Sequence, residues 1–205
     1  ALPRPREVVL VLVAMRPPSP PPPSGPVTRA AVRIDPTAAI EDLADHLVDT
    51  GVKPPVVLDA AADGVPSQRG ERMVAALRHR GYLPDLVIAS VPTAEAGAEQ
   101  TERILAEHRR VDAVLAFNDV LALGVLSACR RAGVDVPGDV RVVGVDGLPL
   151  GTLVAPTLTT LAVDLDEVAG QALDLALGML AGELPRSGAA VERTVRHRLL
   201  LRESA

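Results

Sequence analysis

Short runs of aliphatic and β-branched residues alternate along the chain with longer stretches whose apolar positions recur every three or four residues. The first run, over 8–13, predicts a buried strand. A second short strand falls over 31–34, and Asp35-Pro36 after it has the order of a helix start, an acid at the cap and a proline in the first turn. Ile40, Leu43, Leu47 and Val48 share a face of that helix, and Gly51 stops it. From there the rhythm becomes regular. Strands are predicted over 56–60, 86–89, 113–117 and 142–145, with helices over 70–80, 94–108 and 119–132 between them. Thr93 caps the second of these helices, and Gly81 and Gly133 stop the first and third. Such alternation describes right-handed crossover units around a parallel sheet, an α/β fold.

The last stretch breaks this rhythm. A strand is expected over 158–163, then a helix from Asp164, with Glu167 three residues on in a capping-box arrangement. Leu165, Val168, Ala169, Ala172, Leu173, Ala176 and Leu180 make one apolar stripe along it, and a final strand covers 195–201. A further helix after a finished crossover series describes a chain that leaves one lobe, visits another and returns. Residues 16–26, seven of them proline, are expected to be an exposed extended loop or hinge.

Composition narrows the chemistry. Tyr82 and Phe117 are the only aromatic residues among 205, so the core is built from Ala, Val, Leu and Ile, and stacking platforms for sugars or bases are scarce. The net charge of −5, with Lys53 the only lysine, argues against binding nucleic acid through this part of the chain. The lone Cys129 allows neither a disulfide framework nor a cysteine-based metal site, and a reduced cytoplasmic setting is expected. No apolar run is long enough to span a bilayer, and none has the flanks of a secretory signal. The chain starts at Ala1 rather than at a methionine, as a segment of a longer polypeptide would.

Ligands of open parallel sheets bind beyond the carboxyl ends of the strands. Asp59, Asp63, Ser67 and Arg69 follow the first strand of the regular series, Ser90 and Thr93 the second, Asn118 and Asp119 the third, and Asp146 the fourth. Arg offers a fork of donors, Asp accepts from hydroxyl groups and Asn does both, a set suited to a small polar ligand. Some of these residues have plainer uses: Asn118 or Asp119 as a helix cap, Ser67 as a local cap and Asp146 as a turn former. Arg69 near a helix start opposes the helix dipole, which favours a functional use. No phosphate-binding glycine loop, nucleophile elbow or metal-ligand spacing is present, so neither enzyme activity nor a metal or cofactor is expected. His46, His79, His108 and His197 read as solvated surface residues.

The residues themselves then suggest a family. Residues 111–119, VDAVLAFND, with Ala122-Leu-Gly124, resemble the "DAxxxxNDxxAxG" segment of the lactose-repressor (LacI/GalR) regulators. Residues 134–146, VDVPGDVRVVGVD, are similar to that family's "VPxDVxVVGxDD", and Pro156-Thr-Leu-Thr-Thr160 and Leu201-Arg-Glu-Ser204 to two further signatures. Arg69-Gly-Glu71-Arg-Met73 resembles its "RxEGF" helix start, with Arg72 in place of the glycine and Met73 in place of the aromatic; Gly147 replaces the second aspartate. The resemblance implies a periplasmic-binding-protein-like fold of two Rossmann-like lobes with parallel sheets joined by crossing strands. It implies an effector, a sugar or similar, bound between the lobes, and a homodimer that meets operator DNA only through a helix-turn-helix headpiece. Arg69, Asn118 and Asp146 match positions that commonly contact effector; Ser67 and Asp119 complete the expected set. The amino-terminal lobe is expected from residues 1–54 and 162–185, without its headpiece and early strands, and the carboxy-terminal lobe from 55–161 and 186–205. A solute-binding protein of a transport system and a dimerising scaffold that senses nothing are the other readings.

Overall fold

The computed structural model describes residues 9–14, 28–53, 55–107, 110–185 and 187–205. In chain order these form β1 (Val9–Ala14), β2 (Thr28–Asp35), α1 (Thr37–Asp49), β3 (Pro55–Ala60), α2 (Gln68–His79), β4 (Asp85–Ala89), α3 (Ala94–Ala106), β5 (Ala113–Ala116) and α4 (Asp119–Ala132). They continue with β6 (Arg141–Asp146), β7 (Thr159–Ala162), α5 (Leu165–Leu180), β8 (Glu192–Arg196) and β9 (Arg198–Leu200). The proline connector and His108 lie outside the described residues.

Contacts divide the chain into two units, one of Ala1–Asp35 with Val163–His197, the other of Pro36–Ala162 with Arg198–Ala205. In the smaller unit β1, β2 and β8 make a parallel sheet in that order. α5 begins as its sequence requires, with Asp164 Oδ1 accepting from the Glu167 amide at 3.0 Å. Val168, Leu175 and Met179 pack on Ala30, Val32 and Val195 of the sheet. The expected stripe is only partly buried: Leu165, Leu173 and Leu180, with Leu177, are more than half exposed. One three-stranded sheet covers only one side of a helix that is apolar over a wider arc.

The larger unit holds a six-stranded sheet ordered β4-β3-β5-β6-β7-β9, parallel throughout except for β9 against β7. Period-two alternation sends neighbouring residues to opposite faces. Val57, Leu115, Val143 and Val145 meet α1 and α2 on one face, and Val56, Leu58, Val114 and Val142 meet a second cluster with residues of α3 and α4 on the other. The near-continuous apolar strands are what a sheet covered on both sides demands.

Several expectations change. α1 belongs with the larger unit rather than with residues 1–54, because Ile40, Leu43 and Leu47 share a core with Met73 and Leu77 of α2. Pro36 occupies its N-cap place without a side-chain bond, since Asp35 is still paired with Arg196 as the last residue of β2. The single final strand is two, with β8 in the smaller unit, β9 in the larger, and His197 between them. His197 is therefore buried, not solvated, and His46 is half-buried; only His79 is exposed as expected among the three described histidines.

The chain end plugs the larger sheet. The Ser204 amide donates to Thr157 O at 3.0 Å, and the Val142 amide donates to Ser204 O at 2.8 Å. The fully buried Ser204 hydroxyl donates to Val142 O at 2.6 Å and accepts from the Thr159 amide at 2.8 Å. Ser204→Ala leaves both backbone groups unpaired in the core, so unfolding free energy in urea should fall by about 1–3 kcal/mol. A midpoint equal to that of the unaltered chain would show that the hydroxyl is dispensable.

Candidate functional site

The strand order places β4 and β5 on opposite sides of β3, so the crossovers diverge there, the switch point beyond whose strand ends open parallel sheets bind ligands. Three segments at those ends carry the polar groups. At the end of β3, Asp59 is buried and accepts from the Ser67 amide at 2.7 Å and the Ser67 hydroxyl at 2.6 Å. The same hydroxyl accepts from the Gly70 amide at 3.0 Å, capping α2. A Cβ at residue 70 would collide with the Asp59 carboxylate, so this close seating needs glycine. Asp59 and Ser67 thus set the first turn of α2, which carries Arg69.

Arg69 extends from that turn across the neighbouring strands. One guanidinium nitrogen donates to the Phe117 carbonyl after β5, and Nη2 lies 3.3 Å from Oδ1 of Asp146 at the end of β6. The guanidinium carbon stands 4.7 Å from the centroid of the Phe117 ring, a cation–π contact. Asn118 follows Phe117 and caps α4, its Oδ1 accepting from the Leu121 amide at 2.8 Å. That bond orients the side-chain amide and leaves its NH2 group as a donor at the helix mouth.

Asp146 is the one non-glycine residue with a positive φ among the described residues, at 109°. Such a backbone costs on the order of 1–3 kcal/mol and persists only where its surroundings hold it. The Gly147 amide donates to the Thr160 hydroxyl at 3.2 Å, and the Leu148 amide donates to Asp119 Oδ2 at 2.6 Å. The Thr160 hydroxyl in turn donates to Asp119 Oδ1 at 2.6 Å. Asp119 sits against β6 because residue 144 is glycine; a Cβ there would collide with its Oδ1.

The five expected site residues therefore separate. Arg69 joins the loop after β5 to Asp146, and Asn118 adjoins that loop. Ser67 and Asp119 have side chains engaged inside the fold, and Asp119 is fully buried. Thr93 caps α3 and Asp63 accepts from the Val65 amide, so both serve their own loops, while Ser90 is exposed. Sequence reasoning passed over Phe117, Thr160 and Gly144. A glycine inside an otherwise β-branched strand, two residues before a polar strand end, was the available signal for a close approach. Among the described residues no group of three His, Cys, Asp or Glu side chains is placed to hold a metal ion. No described helix is long and apolar enough to cross a membrane.

A doubly wound sheet with polar side chains gathered at its switch point, accompanied by a second, smaller α/β unit, defines the binding-protein class of fold. Residues 44–205 match the family model described as periplasmic binding protein-like domain, and the chain belongs to that family. Within it, the chain is homologous to the LacI/GalR regulators. It is 32% identical over 161 residues to the HTH-type transcriptional repressor CytR of Escherichia coli K12, covering 77% of this chain and 47% of that protein. It is 32% identical over 152 residues to the HTH-type transcriptional regulator GntR of Pseudomonas aeruginosa, covering 73% of this chain and 44% of that one. A LacI family transcriptional regulator from Arthrobacter sp. FB24, solved in complex with lactose, superimposes with a TM-score of 0.80 at 36% identity, over 85% of this chain and 66% of that one. The chain thus spans about half the length of these curated relatives.

Burial raises the carboxyl pKa of Asp146; Arg69 opposes the rise and the neighbouring charge of Asp119 adds to it. Asp119 is also raised by burial, against hydrogen bonds from Thr160, Leu148 and Gly147 and the charge of Arg202. Between the ordinary value of 3.8 and the raised ones, the folded chain holds more protons than the unfolded chain. The contribution of these groups to stability therefore decreases as pH rises through that window and returns on acidification. Asp146→Asn should make the difference in unfolding free energy between variant and unaltered chain vary with pH in that window. A difference independent of pH would mean that Asp146 titrates alike in both states.

Proposed function

We propose that this chain is the effector-sensing module of a LacI-type transcriptional regulator, and that its effector is a small hydroxyl-rich molecule, a sugar or close relative. The observation that supports it most is the convergence of Arg69, Asn118 and Asp146 beyond the ends of β3, β5 and β6. The Asp146 side chain remains one-third exposed, with acceptor capacity for ligand hydroxyl groups, while the Asn118 amide supplies donors. The ion pair with Arg69 neutralises the carboxylate, which favours an uncharged ligand over an acid or an amine. Lactose in the Arthrobacter relative belongs to that class.

In this reading the larger unit is the carboxy-terminal lobe and the smaller one belongs to the amino-terminal lobe. The intact regulator acts inside the cell as a homodimer and reaches operator DNA through a helix-turn-helix headpiece outside this chain. An effector alters DNA binding only as far as it binds two lobe arrangements with unequal affinity.

The test is thermal melting of the chain against lactose, other sugars, polyols, nucleosides and amino acids. A ligand at about a hundred times its dissociation constant adds roughly 2.7 kcal/mol. That corresponds to a rise of about 2–4 °C for each kcal/mol in a chain of this size. A shift confined to hydroxylated neutral compounds supports the reading, and one confined to amino acids replaces it. Asp146→Asn should weaken binding of the responding compound by about 1.5–3 kcal/mol in calorimetry, the worth of a charge-assisted hydrogen bond, without lowering the melting point of the free chain by more than a few degrees. Undiminished affinity would remove Asp146 from the site.

A further inference from the structure

Asp119 was expected among the ligand contacts, yet its side chain is fully buried and its two oxygens already meet donors, Oδ1 from Thr160 and Oδ2 from Leu148. What it holds is the turn that follows β6. Residue 146 departs from the strand with φ at 109° and Gly147 continues at 78°, so two successive residues occupy the left-handed side of backbone space. An aspartate has no intrinsic preference for that conformation strong enough to keep it. The amides of the next two residues are the points at which the turn is tied down, one to Thr160 and one to Asp119, and Thr160 and Asp119 are bonded to each other. The four groups form a closed latch between α4, β7 and the β6 turn.

We infer that Asp119 and Thr160 are positioning residues of the binding site, holding the 146–148 turn in the strained conformation that aims the Asp146 carboxylate at Arg69 and the ligand. The latch depends on charge as well as shape. An ionised carboxylate only accepts, and here both partners donate: the Thr160 hydroxyl to Oδ1 and the Leu148 amide to Oδ2. Replacement of Asp119 by asparagine turns one acceptor into an NH2 donor: set toward Leu148 it faces an amide N–H, and set toward Thr160 it makes the hydroxyl give up its own donation to accept, so the latch loses its charge-assisted bonding although the volume is kept. Gly144 is part of the same device, because a side chain there would displace Asp119 Oδ1 from the position that reaches Thr160. The surrounding charges are Asp146, which repels the carboxylate, and Arg202, which attracts it. The latch itself is a property of the free chain, whereas its effect on ligand affinity rests on the function proposed above.

Amide hydrogen exchange and lactose titration of the 205-residue chain test this together, using Thr160→Val, Thr160→Ser and Asp119→Asn. The Gly147 and Leu148 amides should exchange about tenfold faster in Thr160→Val and Asp119→Asn, with those of Leu115 and Val143 in the sheet unchanged. Thr160→Ser, which keeps the hydroxyl, should restore slow exchange. The exchange pattern needs no ligand, so it decides the latch even if lactose does not bind; failure of lactose and of every other sugar to bind counts against the proposed function alone. Where lactose binds, Thr160→Val should weaken it about tenfold and Thr160→Ser should not. Unchanged exchange at Leu148, a rise shared equally with Leu115 and Val143, or failure of serine to rescue would overturn the inference. Should Asp119→Asn not fold, the two Thr160 variants carry the same decision.

Discussion

The reach of Arg69 from the first turn of α2 to the Phe117 carbonyl and the Asp146 carboxylate is the interaction on which the site depends. It connects the ends of three strands that follow one another in the sheet as β3, β5 and β6. A guanidinium suits this role because its planar fork can satisfy a carbonyl and a carboxylate at once while its face rests on an aromatic ring. Its side chain is only one-tenth exposed, so the fork is already desolvated and oriented before any ligand arrives. The sole phenylalanine of the chain is used to seat the arginine rather than to stack on a ligand.

A buried carboxylate stands behind Arg69 and another behind Asp146. Asp59 holds Ser67 and with it the turn that carries Arg69; Asp119 holds the turn that carries Asp146. Each is admitted by a glycine whose missing side chain leaves room, Gly70 for the first and Gly144 for the second. Buried acids of this kind are costly unless every oxygen finds a donor. Here the donors are amides and hydroxyls of the loops that must be rigid, so satisfying the acid and ordering the site are one event.

The helices on the two sheet faces contribute differently. α3 and α4 pack with Val56, Leu58, Val114 and Val142, and α4 starts at the crevice, so its cap residue Asn118 is at once a structural acceptor and a candidate donor to ligand. α1 and α2 cover the other face, where the α2 start brings Arg69 to the same mouth. In the smaller unit the coverage is thinner. α5 lays Val168, Leu175 and Met179 on a three-stranded sheet and keeps a row of leucines in solvent.

Residue order alone sets the strand and helix order of the larger unit, the caps at Ser67, Thr93 and Asp164, and the placing of Arg69, Asn118 and Asp146 in the segments that follow strand ends. These are local facts, set by side-chain periodicity, capping chemistry and the rule that loops after parallel strands share one side of the sheet. Only the tertiary structure decided which lobe α1 joins, that the last strand is broken at His197, and that Asp119 faces inward. Each depends on what lies opposite in space: Leu43 finds Leu77 from another helix, the backbone of Arg196 pairs in one sheet and that of Arg198 in another, and Asp119 finds Thr160 across the fold. A polar residue at a strand end looks alike in sequence whether it turns toward ligand or toward a neighbouring amide, because the donors that settle its direction come from distant parts of the chain.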